Sequence, residues 1–302
     1  TTGTFSNLTK GTYTIEVSDI NDCPSVISSP ITLSEPLPLQ FTSQNKTNAT
    51  CSGVDDGTIN VTVSGGTAPY VFTLNPGGIT NSTGNFTGLA PGTYTVSFND
   101  ANSCGPVISN NFVISSPDPI NITSVTSSNI TCNNLNDGII QITASGGNAP
   151  LTYTLNPGGI SQPTGNFTGL ANGTYIVTVS DTEGCAPAAT SPITIINPPE
   201  IIITEQTVNQ ISCYGAANGS IIIKAQGGTG TLNYTLNPGA VTKTDGNFTG
   251  LGPGTYTVSV TDINNCPQAS SGPIQIIEPA VLSASLESSS IINLDCSGDN
   301  NG

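Results

Sequence analysis

Between Leu39 and Ile114, apolar residues come in short bursts at every second position. The bursts are Leu39 and Phe41; Ile59, Val61 and Val63; Phe72 and Leu74; Tyr94, Val96 and Phe98; Phe112 and Ile114. Period-two alternation puts each burst on one face of an extended strand. Phe86 and Leu89 mark one further short strand, and no stretch sustains the i, i+3, i+4 spacing of a helix. Turn residues stand between the bursts: Gly65-Gly66, Asn75-Pro76-Gly77, Pro91-Gly92 and Asp100-Ala101-Asn102. The first burst is expected to be an edge strand ending at Cys51, followed by the polar turn Ser52 to Gly57. Roughly seven short strands with turns between them predict an all-β, Greek-key β-sandwich.

This pattern recurs along the chain. Tyr13, Tyr94, Tyr175 and Tyr256 stand 81 residues apart, and each enters a strand just after a glycine-bearing turn. That placement resembles the tyrosine corner of immunoglobulin-like and fibronectin-III-like sandwiches. A fixed period means one structural unit copied in tandem. Prolines at Pro36-Leu37-Pro38, Pro117-Asp118-Pro119, Pro198-Pro199 and Pro279 end sheet pairing and stiffen connectors, so they set the unit boundaries. The expected domains are 37–117, 118–198 and 199–279. A partial repeat of C-terminal strands at 1–36 and a partial repeat holding a first strand at 280–302 make the chain read as a window on a longer array. Tandem immunoglobulin-like domains, each touching only its neighbours, predict a rod.

Charge narrows the function. Four lysines, no arginine or histidine, and 19 carboxylates give a net charge of −15. Nucleic-acid binding needs a basic footprint that is missing here, and anionic membrane surfaces would repel the chain. No apolar run is long enough to cross a bilayer. The commonest general base is absent, and the carboxylates sit in turns at repeat spacing, so no catalytic residue is assigned and the chain reads as a non-enzyme. The neighbouring repeats of the same chain are the expected partners.

The cysteines form two series, Cys51, Cys132, Cys213, Cys296 and Cys23, Cys104, Cys185, Cys266. With no histidine and no Cys-x-x-Cys, structural disulfides outweigh metal binding. In an immunoglobulin-like path the first series sits at the lower end of each unit and the second in a late turn at the upper end. A strand of about eight residues spans some 25 Å, whereas disulfide Cα atoms lie about 6 Å apart. This favours bridges between units, Cys51–Cys185 and Cys132–Cys266. Cys104–Cys132 remains the alternative if the first strand is placed differently. Asp56, Asp137, Asp100 and Asp181, together with Asp55, Asp262 and Asp299-Asn300, are calcium candidates between domains, set against ordinary Asp/Asn/Gly turn chemistry. No other cofactor is expected. Asn85, Asn166 and Asn247 lie in Asn-x-Thr triplets that could accept glycans, although chance explains most such triplets in so Asn- and Thr-rich a chain. The repeated Tyr and Phe alternate with polar neighbours, which favours core packing over a sugar-stacking platform.

The run Cys51-Ser52-Gly53-Val54-Asp55-Asp56-Gly57, continuing through Gly65-Gly66-Thr67-Ala68-Pro69-Tyr70, resembles the SprB-type repeat. So does Leu89-Ala90-Pro91-Gly92-Thr93-Tyr94-Thr95-Val96, leading into Asp100 to Cys104. Departures occur: Cys213-Tyr214-Gly215-Ala216-Ala217-Asn218-Gly219 lacks the carboxylates, and Leu151 follows Pro150 where Tyr70 follows Pro69. The resemblance implies a secreted adhesin of gliding Bacteroidetes, exported by the type IX system and displayed on the cell surface as filaments attached to the outer membrane. It also implies motility machinery as a partner, with surface or polysaccharide ligands engaged by other regions. The resulting expectation is a structural stalk segment serving adhesion and gliding. The rivals are a repeated carbohydrate-binding module and a passive spacer in a large secreted enzyme.

Overall fold

The computed structural model describes residues 3–21, 23–285 and 298. Every regular element among them is a β-strand. The chain forms two compact units. The first takes the chain up to Asn121 together with Ala144–Thr152 and Val179–Ala188. The second takes Ile122–Thr143, Tyr153–Thr178 and the chain from Ala189 onward.

The first unit opens with four short strands, β1 (Gly11–Tyr13), β2 (Glu16–Val17), β3 (Val26–Ile27) and β4 (Ile31–Leu33). β1 pairs antiparallel with β4, and β2 with β3. The apolar side chains of this ribbon, among them Val17, Val26 and Ile31, are exposed.

A complete sandwich follows: β5 (Gln40–Thr47), β6 (Gly57–Ser64), β7 (Val71–Asn75), β8 (Ile79–Asn81), β9 (Asn85–Leu89), β10 (Gly92–Asn99), β11 (Val107–Ile108) and β12 (Phe112–Ile114). One sheet has the order β5-β6-β9. The other has the order β11-β10-β7-β8, with β12 also on β10. The alternating residues of the two sheets meet in a core of Ile59, Val61, Phe72, Leu74, Phe86, Leu89, Val96, Phe98, Phe112 and Ile114. Phe98 lies at its centre, with Phe41, Tyr70 and Phe72 packed on its ring at centroid distances of 5.0, 5.9 and 5.8 Å.

The observed elements depart from the sequence pattern in three places. The first strand stops at Thr47, short of Cys51, and a bulge between Phe41 and Ser43 shifts its register, so its second half is polar and exposed. β8 has no alternating signature because Ile79, its one large apolar residue, points outward. The final strand is split in two. The Ser109 hydroxyl accepts from Val96 N at 2.8 Å, Ser109 N donates to Val96 O at 2.8 Å, and β11 and β12 flank this clamp on the same neighbour.

The second unit holds the equivalent sandwich between Ile202 and Ile276, with the same strand order. Ile221, Ile223, Tyr234, Leu236, Phe248, Val258, Val260, Ile274 and Ile276 form its core. The eight strands between Asn121 and Ile195 repeat the same two-sheet order, and their segments are divided between the two units.

Candidate functional site

The chemistry of this chain is concentrated where one repeat ends and the next begins, and each such joint lies within a single unit. Its floor is the proline connector. In the first sandwich Gly66 N donates to Leu37 O at 2.7 Å; Gly147 N to Asp118 O and Gly228 N to Pro199 O, each at 2.8 Å, do the same later. Only glycine fits before these positions. Gly146 has φ +84°, and an added Cβ would lie 2.0 Å from Pro119 O; Gly227 has φ +98°, and its Cβ would lie 1.9 Å from Glu200 O. The Gly-Gly pair therefore lets the turn press onto the connector.

The second component is the late turn, organised by an aspartate. Asp100 Oδ1 accepts from Asn102 N (3.0 Å) and Cys104 N (2.8 Å), while Oδ2 accepts from Thr67 N (2.9 Å). Asp181 takes Cys185 N and Asn148 N, and Asp262 takes Asn264 N, Cys266 N and Thr229 N, in the same manner. Asp19 holds Asn21 N and Cys23 N. For Asp100 burial works against ionisation, yet the N–H donors of Cys104, Thr67 and Asn102 outweigh it and hold the carboxyl below its usual range. Asp181 is lowered chiefly by Asn148 N–H.

The third component is the turn after the first long strand. Thr50 gives Asp56 both its amide (2.8 Å) and its hydroxyl (2.5 Å); Thr131 gives the same pair to Asp137, at 2.9 and 2.5 Å. The Thr50 hydroxyl, then its amide, lower Asp56, and Thr131 does the same for Asp137. In the third repeat Asn218 takes over, accepting from Ser212 N and donating to Ser212 Oγ. Thr50 and Thr131 each directly precede a cysteine, Cys51 and Cys132, and Ser212 precedes Cys213.

These parts meet at the disulfides. Cys51 is bonded to Cys185 with Cα atoms 5.4 Å apart, and Cys132 to Cys266 at 5.3 Å; both pairs are separated by 134 residues. Around the first bridge Asn148 Nδ2 donates to Thr50 O at 2.7 Å. Around the second, Thr131 O accepts from Asn264 Nδ2 (3.1 Å) and, more loosely, from the Thr229 hydroxyl (3.5 Å). Cys132 and Cys266 are part of the core cluster of the second unit. An open cleft of about 560 Å³ beside this bridge is lined by Asn133, Glu200, Ile201 and Pro267, among others. Cys23, Cys104 and Cys213 are exposed and unbonded. Cys296, Asp299 and Asn300 fall outside the described residues.

The calcium candidates do not converge. Each of the Asp56, Asp137, Asp100 and Asp181 carboxylates accepts the protein N–H or hydroxyl donors given above, and no cluster of three acidic or cysteine ligands forms among the described residues. The tyrosine-corner residues each donate four residues back: Tyr13 to Thr9 O (2.8 Å), Tyr94 to Ala90 O (3.0 Å), Tyr175 to Ala171 O (3.0 Å) and Tyr256 to Gly252 O (3.1 Å). Asn85, Asn166 and Asn247 are exposed at the starts of strands. Phe41, Tyr70, Phe72 and Phe98 pack together, edge-on except for the stacked Phe72–Phe98 pair, with Phe72 and Phe98 buried and Phe41 and Tyr70 half-buried at the edge of the first sandwich's core. Sequence reasoning missed the side-chain donors Asn148 and Asn264 and the Thr–Asp clamp. The recurring six-residue step from Thr50 to Asp56 and from Thr131 to Asp137 was the available signal for the clamp.

The SprB repeat family matches residues 43–78, 124–159 and 206–241. Curated proteins give no match. Among solved structures, immunoglobulin domains 1–4 of Sidekick-1 align at 11% identity and TM-score 0.32, over 90% of this chain and 83% of that one. The FN1–FN3 domains of chicken CNTN1 align at 16% and 0.28, over 82% and 99%. The S-layer protein rSbsC(31-844) aligns at 13% and 0.30, over 91% and 46%. At such identities a likeness concerns fold alone.

Proposed function

We propose that this chain, which carries three tandem SprB repeats, is a structural stalk segment of a long extracellular adhesin filament that serves surface attachment and gliding. The repeats and the two disulfides point to a cell-surface repeat protein, since such bridges persist outside the reducing cytosol. The observation that carries the stalk reading is the doubling of two joints: the repeats they join are connected by backbone and, independently, by a disulfide. A binding module needs a receptive surface, whereas here the aspartates, the glycines and two pairs of cysteines are spent on fixing one repeat to the next. The sparse, acidic surface discourages lateral bundling.

Attachment to the outer membrane of a Bacteroidetes-type cell, export by the type IX system and contact with motility machinery belong to the same proposal, and the SprB match supports them. Antibody raised against this chain, applied to unpermeabilised source cells, should decorate filaments in electron micrographs. Deleting the gene should abolish attachment and gliding on glass. Label confined to the cell interior, or normal gliding without the gene, would discard the reading.

A further inference from the structure

Of the seven cysteines among the described residues, the four that are bonded obey one rule. A cysteine in the turn after the first strand bonds the late-turn cysteine 134 residues further on. Cys51–Cys185 and Cys132–Cys266 satisfy it. Applied to Cys213, the rule calls for a partner at position 347; applied to Cys104 and Cys23 it calls for partners 134 residues before each, ahead of residue 1. Of these seven, the three for which the rule calls for a partner outside the 302 residues are the three that are unbonded.

Their surroundings are also those of a joint. At Cys104 the late turn is already shaped by Asp100, and Thr67 and Asn102, which occupy the places of Thr229 and Asn264, are joined to each other at 3.2 Å. At Cys213 the Ser212–Asn218 clamp reproduces the clamps that set Thr50 and Thr131 against their partners. Tyr214 beside it is 59% exposed.

We infer that Cys104 and Cys213 are half-cystines of two further joints and that the faces around them each dock another SprB-type repeat of the same chain. The face around Cys104 receives a turn of the Thr/Ser-Cys kind, whose carbonyl takes the Asn102 or Thr67 donor. The face around Cys213 receives a late turn of the Asp-x-x-x-Cys kind, whose side-chain donors reach Ser212 O. Closing each bridge joins two thiols with loss of two protons and two electrons, taken up by a dithiol-oxidising catalyst or by oxygen in an oxidising compartment. This inference rests on the repeat identity and on the geometry of the two closed joints, and it holds or fails independently of any role in gliding.

The test is disulfide mapping of the full-length protein from its source, alkylated before digestion and kept unreduced. The expected result is Cys104 linked to a Thr/Ser-Cys turn peptide and Cys213 linked to an Asp-x-x-x-Cys peptide, both from this chain, with the protein running as a monomer on a non-reducing gel. An alkyl label on either cysteine, a Cys104–Cys132 bridge, or disulfide-linked multimers would overturn it. On the 302-residue chain alone, Cys23, Cys104 and Cys213 should take up a thiol reagent completely, while Cys51, Cys132, Cys185 and Cys266 take up none. Cys104→Ser should leave the melting temperature of this chain unchanged and lower that of the full-length protein. A drop in the 302-residue chain would mean that Cys104 already has a structural partner there.

Discussion

The two closed joints share their disulfide, connector and Gly-Gly turn, and differ in the side-chain donors and in the burial around the bridge. In the first, one side chain, Asn148, reaches across to Thr50 O, and Cys185 is only half-buried. In the second, Asn264 and Thr229 share Thr131 O, and Cys266 is 6% exposed and continuous with a hydrophobic core. The covalent bond, the connector and the Gly-Gly turn are constant, whereas the polar donors change: Asn148 alone in the first joint, and in the second Thr229 at the equivalent position together with Asn264 from the late turn. The joint is thus specified by its covalent and backbone parts, and the side-chain hydrogen bonds fit themselves to the residues available.

That contrast can be broken most forcefully at the sulfurs. Cys132→Ser should cost about 2–5 kcal/mol, and Cys51→Ser should sit toward the low end of that range, because the thiol freed by the former, Cys266, is 6% exposed whereas the one freed by the latter, Cys185, is half-buried. Denaturant unfolding measures both, and equal losses would erase the distinction between the joints. Next come the glycines. Gly146→Ala and Gly227→Ala should each cost about 2–3 kcal/mol through strain and overlap with a carbonyl. Calorimetry should show matching drops, since the backbone geometry is shared; a tolerated alanine at either position would show that the turn does not need its close approach. Smaller still, Asn148→Ala should cost about 1 kcal/mol. Asn264→Ala should cost less, because Thr229 remains, and the reverse order would contradict the division of donors described here.

Acid probes a third difference. The carboxyls of Asp56, Asp100, Asp137 and Asp181 are held below their ordinary value by hydrogen bonds made only in the fold. Their contribution is therefore fully present above the unfolded carboxylate pKa, about 4, and is lost as pH falls through the lower folded values. Melting followed from pH 7 to pH 2 should show stability declining below about pH 4. The third repeat, where Asn218 replaces the clamp aspartate, should decline least. A third repeat as acid-sensitive as the first would remove the clamp from the explanation.

Much of the sandwich was legible in the chain because alternation and burial coincide: Ile59, Val61, Phe72, Leu74, Val96 and Phe98 alternate in sequence and are all buried. The strand Ile79–Asn81 was not, because an outward-facing edge strand leaves no apolar alternation. The broken last strand was hidden for another reason: a serine hydroxyl standing in for a backbone acceptor looks like any surface serine. Of the joint, the cysteine period and the Gly-Gly pairs were readable. The roles of Asn148 and Asn264 were not, since a side chain that binds a distant main-chain carbonyl has no complementary residue to betray it. The aspartates were visible as a set, but their partners are backbone amides, which every residue type supplies.

The overlap of the two disulfide loops has one more consequence. Traced through covalent bonds alone, the shortest route from Cys51 to Cys266 crosses to Cys185, runs back along the chain to Cys132 and crosses again. It contains 53 residues of backbone, from 185 back to 132, against 215 from 51 to 266 along the sequence. Fully drawn out, that is roughly 190 Å instead of roughly 770 Å. Were the folds of this stretch to fail under traction, the connectors at Pro117-Asp118-Pro119 and Pro198-Pro199 would hang slack, as would the strands Asn121–Ser128 and Ile193–Ile195. The tether would be the interior of the middle repeat, so the outermost strands of that domain would be the ones excused from tension.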